Sequence, residues 1–211
     1  MFVLVPALYD FLLSDVEASA GTVSKEKAEQ LFRLFEHHPL FSWHNSHNGC
    51  EGRADAVCVL LDHWGIPNSK AWVFGGAFLR NHIGGLKQNW NYHVAPVLAV
   101  EENGQRNYYV LDPSTTTSLT PVEEWAAAIT LFPHSYYCIR QAHWYVFPSK
   151  KIRSQPWHTR NRQNRKWMIQ CLASVNSLTA IGKAALCFNK GRLHNKALAF
   201  EQLKRMKPGG I

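Results

Sequence analysis

Cys50, His93 and Asp112 are the residues whose types and spacing could do acyl-transfer chemistry. Cys50 follows Asn48-Gly49 and leads into Ala54, Val57, Cys58 and Leu61, an i, i+3, i+4, i+7 apolar pattern closed by Gly65 and Pro67. That spacing predicts an amphipathic helix with the cysteine at or next to its N-terminus. There the positive end of the helix dipole lowers a thiol pKa, and unpaired backbone N–H groups can hold an oxyanion. His93 lies early in a strand-like run, residues 92–101, and Asp112 lies at the end of a second, 107–112, just before Pro113. Asn103-Gly104 between the runs is a strong hairpin signal. A turn centred there pairs residues whose numbers sum to about 207, which sets Asp112 opposite position 95, within two residues of His93. A carboxylate beside an imidazole fixes its tautomer and supports its charged form. If the sheet packs on the Cys50 helix, the imidazole can take the thiol proton, which is the nucleophile, base and orienter logic of cysteine hydrolases. A half-buried cysteine, a core histidine and a turn aspartate would account for the same residues without catalysis.

The elements that must position these residues follow from local pattern. Ser24 can cap a helix over 24–38 that carries Ala28, Leu31, Leu34 and Phe35 on one face and stops at Pro39. Ala71–Phe74 is strand-like. Pro96 inside the first hairpin run predicts an edge strand or a bulge. Thr120-Pro121-Val122-Glu123 reads as a cap, a first-turn proline and a capping-box glutamate, opening a helix through Trp125 to about Leu131. Residues 136–147 form one or two further strands. Beyond them, Met168, Cys171, Leu172, Val175, Leu178 and Ile181 fall at helical spacing, and a last helix runs from Asn195 to Met206. Helices before and after an antiparallel sheet make an α+β fold.

The segments Asn48-Gly49-Cys50-Glu51-Gly52-Arg53-Ala54, Ala71-Trp72-Val73-Phe74-Gly75, Trp90-Asn91-Tyr92-His93-Val94-Ala95 and Leu111-Asp112-Pro113-Ser114 resemble, in order and spacing, the catalytic segments of bacterial protein glutaminases. Pro121-Val122 and Trp125 resemble the segment after the catalytic aspartate of that family. The resemblance covers roughly residues 42–147. It implies a transglutaminase-like fold of the papain-like group and deamidation of glutamine side chains in proteins. Cys50 is then the nucleophile, His93 the general base and acid, and Asp112 the orienting carboxylate. A transglutaminase or a cysteine peptidase of the same fold group is the alternative enzyme. A non-catalytic binding module acting through a basic tail is the alternative of another class.

Other candidates are secondary. Trp90, Asn91 and Tyr92 could line an acyl pocket or simply pack a strand. The backbone N–H of Cys50, or the side chain of Asn48 or Asn45, could serve the oxyanion. His44, His47 and Cys50 have zinc-compatible spacing, but a metal there would consume the nucleophile, so neither metal nor cofactor is expected. Arg53 could bind a carboxylate, although an exposed helix position is its default. Cys58, Cys171 and Cys187 suit apolar helix faces.

Composition frames these residues. The chain has 211 residues, 46% hydrophobic and 18% charged, too apolar for a disordered chain and with no run near the roughly 20 residues of a membrane-spanning helix. Five scattered cysteines do not read as a disulfide framework. The apolar opening Met1–Leu8 has no basic residue before it and is a poor secretory signal. Reduced thiols and a cytoplasmic compartment are expected, either of the producing cell or of one entered by a non-classical route. The net charge of +8 is uneven: residues 1–149 hold nine Lys+Arg against fourteen Asp+Glu, while 150–211 hold fourteen against Glu201 alone. We therefore divide the chain into a catalytic part, 1–149, whose first 41 residues are an N-terminal helical part, and a basic helical extension, 150–211. The expected partners are a protein substrate with exposed glutamine and, for the extension, an acidic protein or anionic surface.

Overall fold

Ser24 caps the first described helix as its sequence predicts: its hydroxyl accepts from the Lys27 N–H, and α1 runs Lys25–His37 with Ala28, Leu31, Phe32 and Phe35 buried. In this computed structural model the described residues are 21–43, 49–80, 87–129, 136–147, 159–174 and 189–206, with the side chains of 75–80, 87–91 and 136 left out. The further elements are α2 (Cys50–His63), β1 (Ser69–Arg80), β2 (Lys87–Glu102), β3 (Gln105–Val110), β4 (Thr120–Pro121), α3 (Val122–Ile129), β5 (Tyr136–Gln141), α4 (Arg162–Leu172) and α5 (Lys190–Arg205). The strands form one antiparallel sheet in the order β4-β3-β2-β1-β5. The fold is α+β.

The hairpin forms in the expected register. Asn103 and Gly104 both take positive φ, 53° and 72°, the geometry of a two-residue turn that asparagine and glycine tolerate best. Glu102 pairs with Gln105 and Val97 with Val110.

Three expectations from local pattern are corrected. Pro96 is neither at an edge nor at a bulge: it sits in the central strand β2, paired with Lys70 of β1. Its carbonyl points toward β3 and accepts from Leu111 N–H at 2.9 Å. Its ring nitrogen faces the same way and has no proton to give. The β2–β3 ladder therefore ends at this pair, and the chain after Leu111 is released to bend at Asp112. Thr120 and Pro121 do not open a helix. They pair with Val110 and Tyr109 as β4, and α3 starts one residue later. Similarly, the last helix begins at Lys190, five residues before the expected start. The residues carrying Val175, Leu178, Ile181 and Cys187 lie outside those described.

The sheet is covered on both faces. One face carries Leu98, Val100, Tyr109 and Leu111 against α1 and α2, and Met168, Leu172, Phe200 and Leu203 of α4 and α5 belong to the same buried cluster. The other face carries Ala71, Val73, Ala95, Val97 and Val110 against Val122, Trp125 and Ile129 of α3. The two helices of the basic region thus share the main core. A buried ion cluster adds to this. Lys70, fully buried, donates to Asp55 of α2 at 3.0 Å and to the Trp144 carbonyl at 2.7 Å. Arg160 donates to the same Asp55 oxygen at 2.9 Å and also bonds Asp62 and the Ala142 carbonyl. Helix α2 is tied through one carboxylate to β1 and to the segment leading into α4.

Candidate active site

Gly49 sets where α2 begins. Its φ of 129° is a conformation that side chains strain to adopt, and its carbonyl takes the first helical bond, from Arg53 N–H at 2.9 Å. Cys171 of α4 presses on this turn: a Cβ at Gly52 would meet the Cys171 Cβ at 2.4 Å, and one at Gly49 would meet it at 3.3 Å. Glycine is therefore required at 49 by the turn and at 52 by the close approach of Cys171. The Gly52 N–H and the Tyr145 hydroxyl hydrogen-bond the Cys171 sulfur, but burial outweighs them and pushes that thiol up to about 11.

The Cys50 thiol packs with Ala54, Trp72, Val94 and Cys138, flanked by Phe74, Tyr92, Val146 and Phe147. It donates to Glu51 Oε2 at 3.3 Å, and the Val94 backbone N–H donates to it. Burial and the neighbouring Glu51 charge hold its pKa well above the ordinary thiol value, while Arg53 and the Val94 N–H oppose them. This reverses the expectation of a thiol acidified by the helix dipole. The dipole acts over the first turn at a fraction of a unit charge, whereas Glu51 places a full negative charge beside the sulfur.

His93 and Asp112 meet as the hairpin register requires. His93 Nε2 lies 2.8 Å from Asp112 Oδ2, and both residues are buried. Asp112 is held from several sides. The Ser114 hydroxyl donates to Oδ1 at 2.5 Å, and the Thr115 hydroxyl donates to Oδ2. Trp125 Nε1 donates to Oδ2 at 3.3 Å and to the Thr115 hydroxyl oxygen at 2.9 Å. The N–H groups of Thr115 and Thr116 close a turn on the Asp112 carbonyl, each at 3.0 Å. Burial would raise the Asp112 pKa, but the His93 charge and the bonds from His93, Ser114 and Thr115 outweigh it and hold the carboxyl at about 2. The Trp125 ring also stands 5.8 Å from the His93 ring. His93 thus presents Nε2 to the carboxylate.

The structure thus joins His93 to Asp112 and sets Cys50 against the Val94 peptide, one residue from His93. The side chains of Tyr92 and Val94 pack with Cys50, whereas that of His93 lies with Trp125 and Asp112, following strand alternation. Tyr92 joins the thiol's surroundings, since its hydroxyl donates to Glu51 Oε1. Trp90 and Asn91 lie in β2 with side chains outside the described set, and Asn45, Asn48, His44 and His47 lie outside the described residues altogether. Arg53 is a correction: it is buried, 4% exposed, in the first turn of α2. Sequence reasoning passed over Glu51, Thr115 and the bonding role of Trp125. Thr115 had a local signal, since a hydroxyl residue just after an Asp-Pro turn commonly bonds back to it. Glu51 adjoins the cysteine and was visible, but nothing local says which way its carboxylate turns. Among the described residues, no three His, Cys, Asp or Glu side chains form a metal site.

Residues 28–129 match a family model described as glutaminase. Among curated protein sequences, none matches the chain. Among solved structures, a protein-glutaminase crystal structure superposes with a TM-score of 0.58 at 16% identity, covering 74% of this chain and 87% of that one. A crystal structure of pro-protein-glutaminase gives 0.59 at 16% identity, covering 84% and 69%. The NMR structure of protein-glutaminase from Chryseobacterium proteolyticum gives 0.55 at 17% identity, covering 72% and 85%. At such identities the likeness is one of fold.

Proposed function

We propose that this chain, whose residues 28–129 match a glutaminase family model, deamidates protein glutamine side chains through a Cys50 thioester, with His93 and Asp112 completing a triad. The observation that carries the reading is the buried His93–Asp112 pair, fixed on the strand residue next to the one whose N–H bonds the Cys50 thiol. The matched family segment contains all three residues.

In this mechanism His93 takes the thiol proton at Nδ1 while Asp112 stabilises the resulting imidazolium through Nε2. The thiolate attacks the glutamine carboxamide carbon, and a C–S bond forms. Backbone N–H groups at the start of α2, that of Cys50 among them, hold the oxyanion. The C–N bond then breaks, and the nitrogen leaves as ammonia with the proton from His93. His93 next takes a proton from water, the hydroxyl adds to the thioester, and the C–S bond breaks to give glutamate and free thiol. The aromatic side chains of Phe74, Tyr92 and Phe147 beside Cys50 supply an apolar wall suited to the glutamine methylenes.

The test is ammonia release from a glutamine-rich protein, measured for the wild type and for Cys50→Ala. Release by the first and none by the second supports the reading. Equal release by both removes Cys50 from the chemistry. Incorporation of an added primary amine in preference to hydrolysis would make the enzyme a transglutaminase.

A further inference from the structure

Glu51 occupies an unusual place for a carboxylate, directly beside the proposed nucleophile. Its Oε1 is held by the Tyr92 hydroxyl from β2, and among the described residues the donor on Oε2 is the Cys50 thiol itself, at 3.3 Å. When the thiol passes its proton to His93, Oε2 loses that donor and faces a sulfur anion at close range. Two negative groups at that separation repel. The arrangement is relieved when a neutral donor enters next to the sulfur. A primary carboxamide does so by its own geometry, because the nitrogen is bonded to the very carbon that sulfur attacks and carries two N–H groups. A carboxylate at the same place would instead offer an oxygen anion to Glu51.

We propose that Glu51, anchored by Tyr92, is the residue that selects a primary carboxamide over a carboxylate: its Oε2 accepts an N–H of the substrate amide once the thiol has turned away, and it repels the glutamate product. Three consequences arise from the same contacts. The amide plane is oriented with its nitrogen toward Glu51 and its oxygen toward the helix N–H groups. Thiol ionisation is linked to the arrival of an amide. The acid product is expelled, so the reaction is not held back by accumulated glutamate. The charge that opposes this selection is Arg53, buried in the same first turn and within 3.5 Å of the place a Gly49 Cβ would take. The titratable and charged groups that face the thiol or Glu51 are therefore Arg53 on the same helix, Tyr92 on β2, and Tyr145 and Cys171 on the side of α4.

The inference rests on the deamidase reading, so the test separates the two. Full-length Cys50→Ala protein, which cannot turn over, is titrated by calorimetry with a short glutamine peptide and with the same peptide bearing glutamate. The carboxamide should bind about 10- to 100-fold more tightly, the span of one hydrogen bond to a charged group. The preference should fall by most of that factor in Cys50→Ala/Glu51→Gln. Tyr92→Phe, which keeps the charge but frees it, should weaken glutamine binding and leave the glutamate peptide excluded. Its outcome stands even if the Glu51 variant does not fold. Equal affinity for the two peptides in Cys50→Ala overturns the inference, and it would mean that Arg53 sets the field. If the wild type releases ammonia from glutamine peptides, that failure leaves the deamidase reading intact. Binding of neither peptide, with no ammonia release by the wild type, overturns both.

Discussion

Neutralising Glu51 should make Cys50 a more acidic thiol. In the free protein the carboxylate oxygen stands 3.3 Å from the sulfur. Coulomb's law at that distance gives about 5 kcal/mol between unit charges at an effective dielectric near 20, and about 1.3 kcal/mol in bulk water. Removing the charge therefore lowers the thiol pKa by roughly one to nearly four pH units. Burial is the larger cause of the elevation and persists in the variant, so the pKa should fall without reaching that of a solvent-exposed, activated thiol. The assay is iodoacetamide labelling of the folded protein from pH 6 to 10, with each cysteine followed by peptide mass spectrometry. At a pH below the thiol pKa, lowering that pKa by one multiplies the thiolate fraction by about ten, so Glu51→Gln should label Cys50 at least about tenfold faster at pH 7.5. Cys58 is the internal control. It is fully buried, its pKa is pushed up to about 12, and it should stay inert in both proteins. An unchanged Cys50 profile, or a displacement to higher pH, would refute the electrostatic reasoning.

Asp112→Asn should fold and lose on the order of ten-thousand-fold in kcat, the size of the corresponding change in a Ser-His-Asp triad. The same variant should lose an acid-stability component, read by circular dichroism from pH 1.5 to 5. A carboxyl held at about 2 contributes stability that is fully present above its unfolded value near 3.9 and is lost as pH falls through 2, about 3 kcal/mol in all. Asp55→Ala should cost about 3–5 kcal/mol in denaturant melts, because it strands Lys70, which is fully buried, without its counter-charge; Asp55→Asn should recover part of that. Ending the chain at residue 149 should give insoluble protein, since Met168, Leu172, Phe200 and Leu203 leave the main core. Replacing exposed Arg162, Lys166 and Arg192 with glutamine should instead keep the fold. It should weaken, and make less salt-sensitive, activity on acidic protein substrates if this surface meets an acidic partner; unchanged activity and salt response would exclude that role.

Much of this site was legible because its signals are local. Asn103-Gly104 fixed the hairpin register by turn geometry alone, and that register carries His93 to Asp112. Gly49, Cys50 and the apolar spacing after them located the helix start. What escaped depended on contacts between distant segments. Pro96 was misplaced because its lost donor matters only on the side where β3 leaves, which needs the neighbouring strand to be seen. The Thr120-Pro121 signal was overridden by two residues of pairing with β3. The direction in which the thiol pKa moves turned on burial and on the rotamer of Glu51, neither of which a helix-dipole argument contains. The charge block after residue 150 reports its surface, while its apolar residues reach the same core as α1 and α2.

Acyl transfer to Cys50 is the central step, and its covalent intermediate is the most direct test. Full-length protein is mixed with a glutamine peptide, quenched in acid within one turnover, and digested for mass spectrometry. The account predicts the peptide joined to Cys50 with loss of ammonia, with the adduct sensitive to hydroxylamine as a thioester is, and absent from Cys50→Ala. Steady release of ammonia with no adduct on Cys50, or an adduct on any other residue, would contradict it.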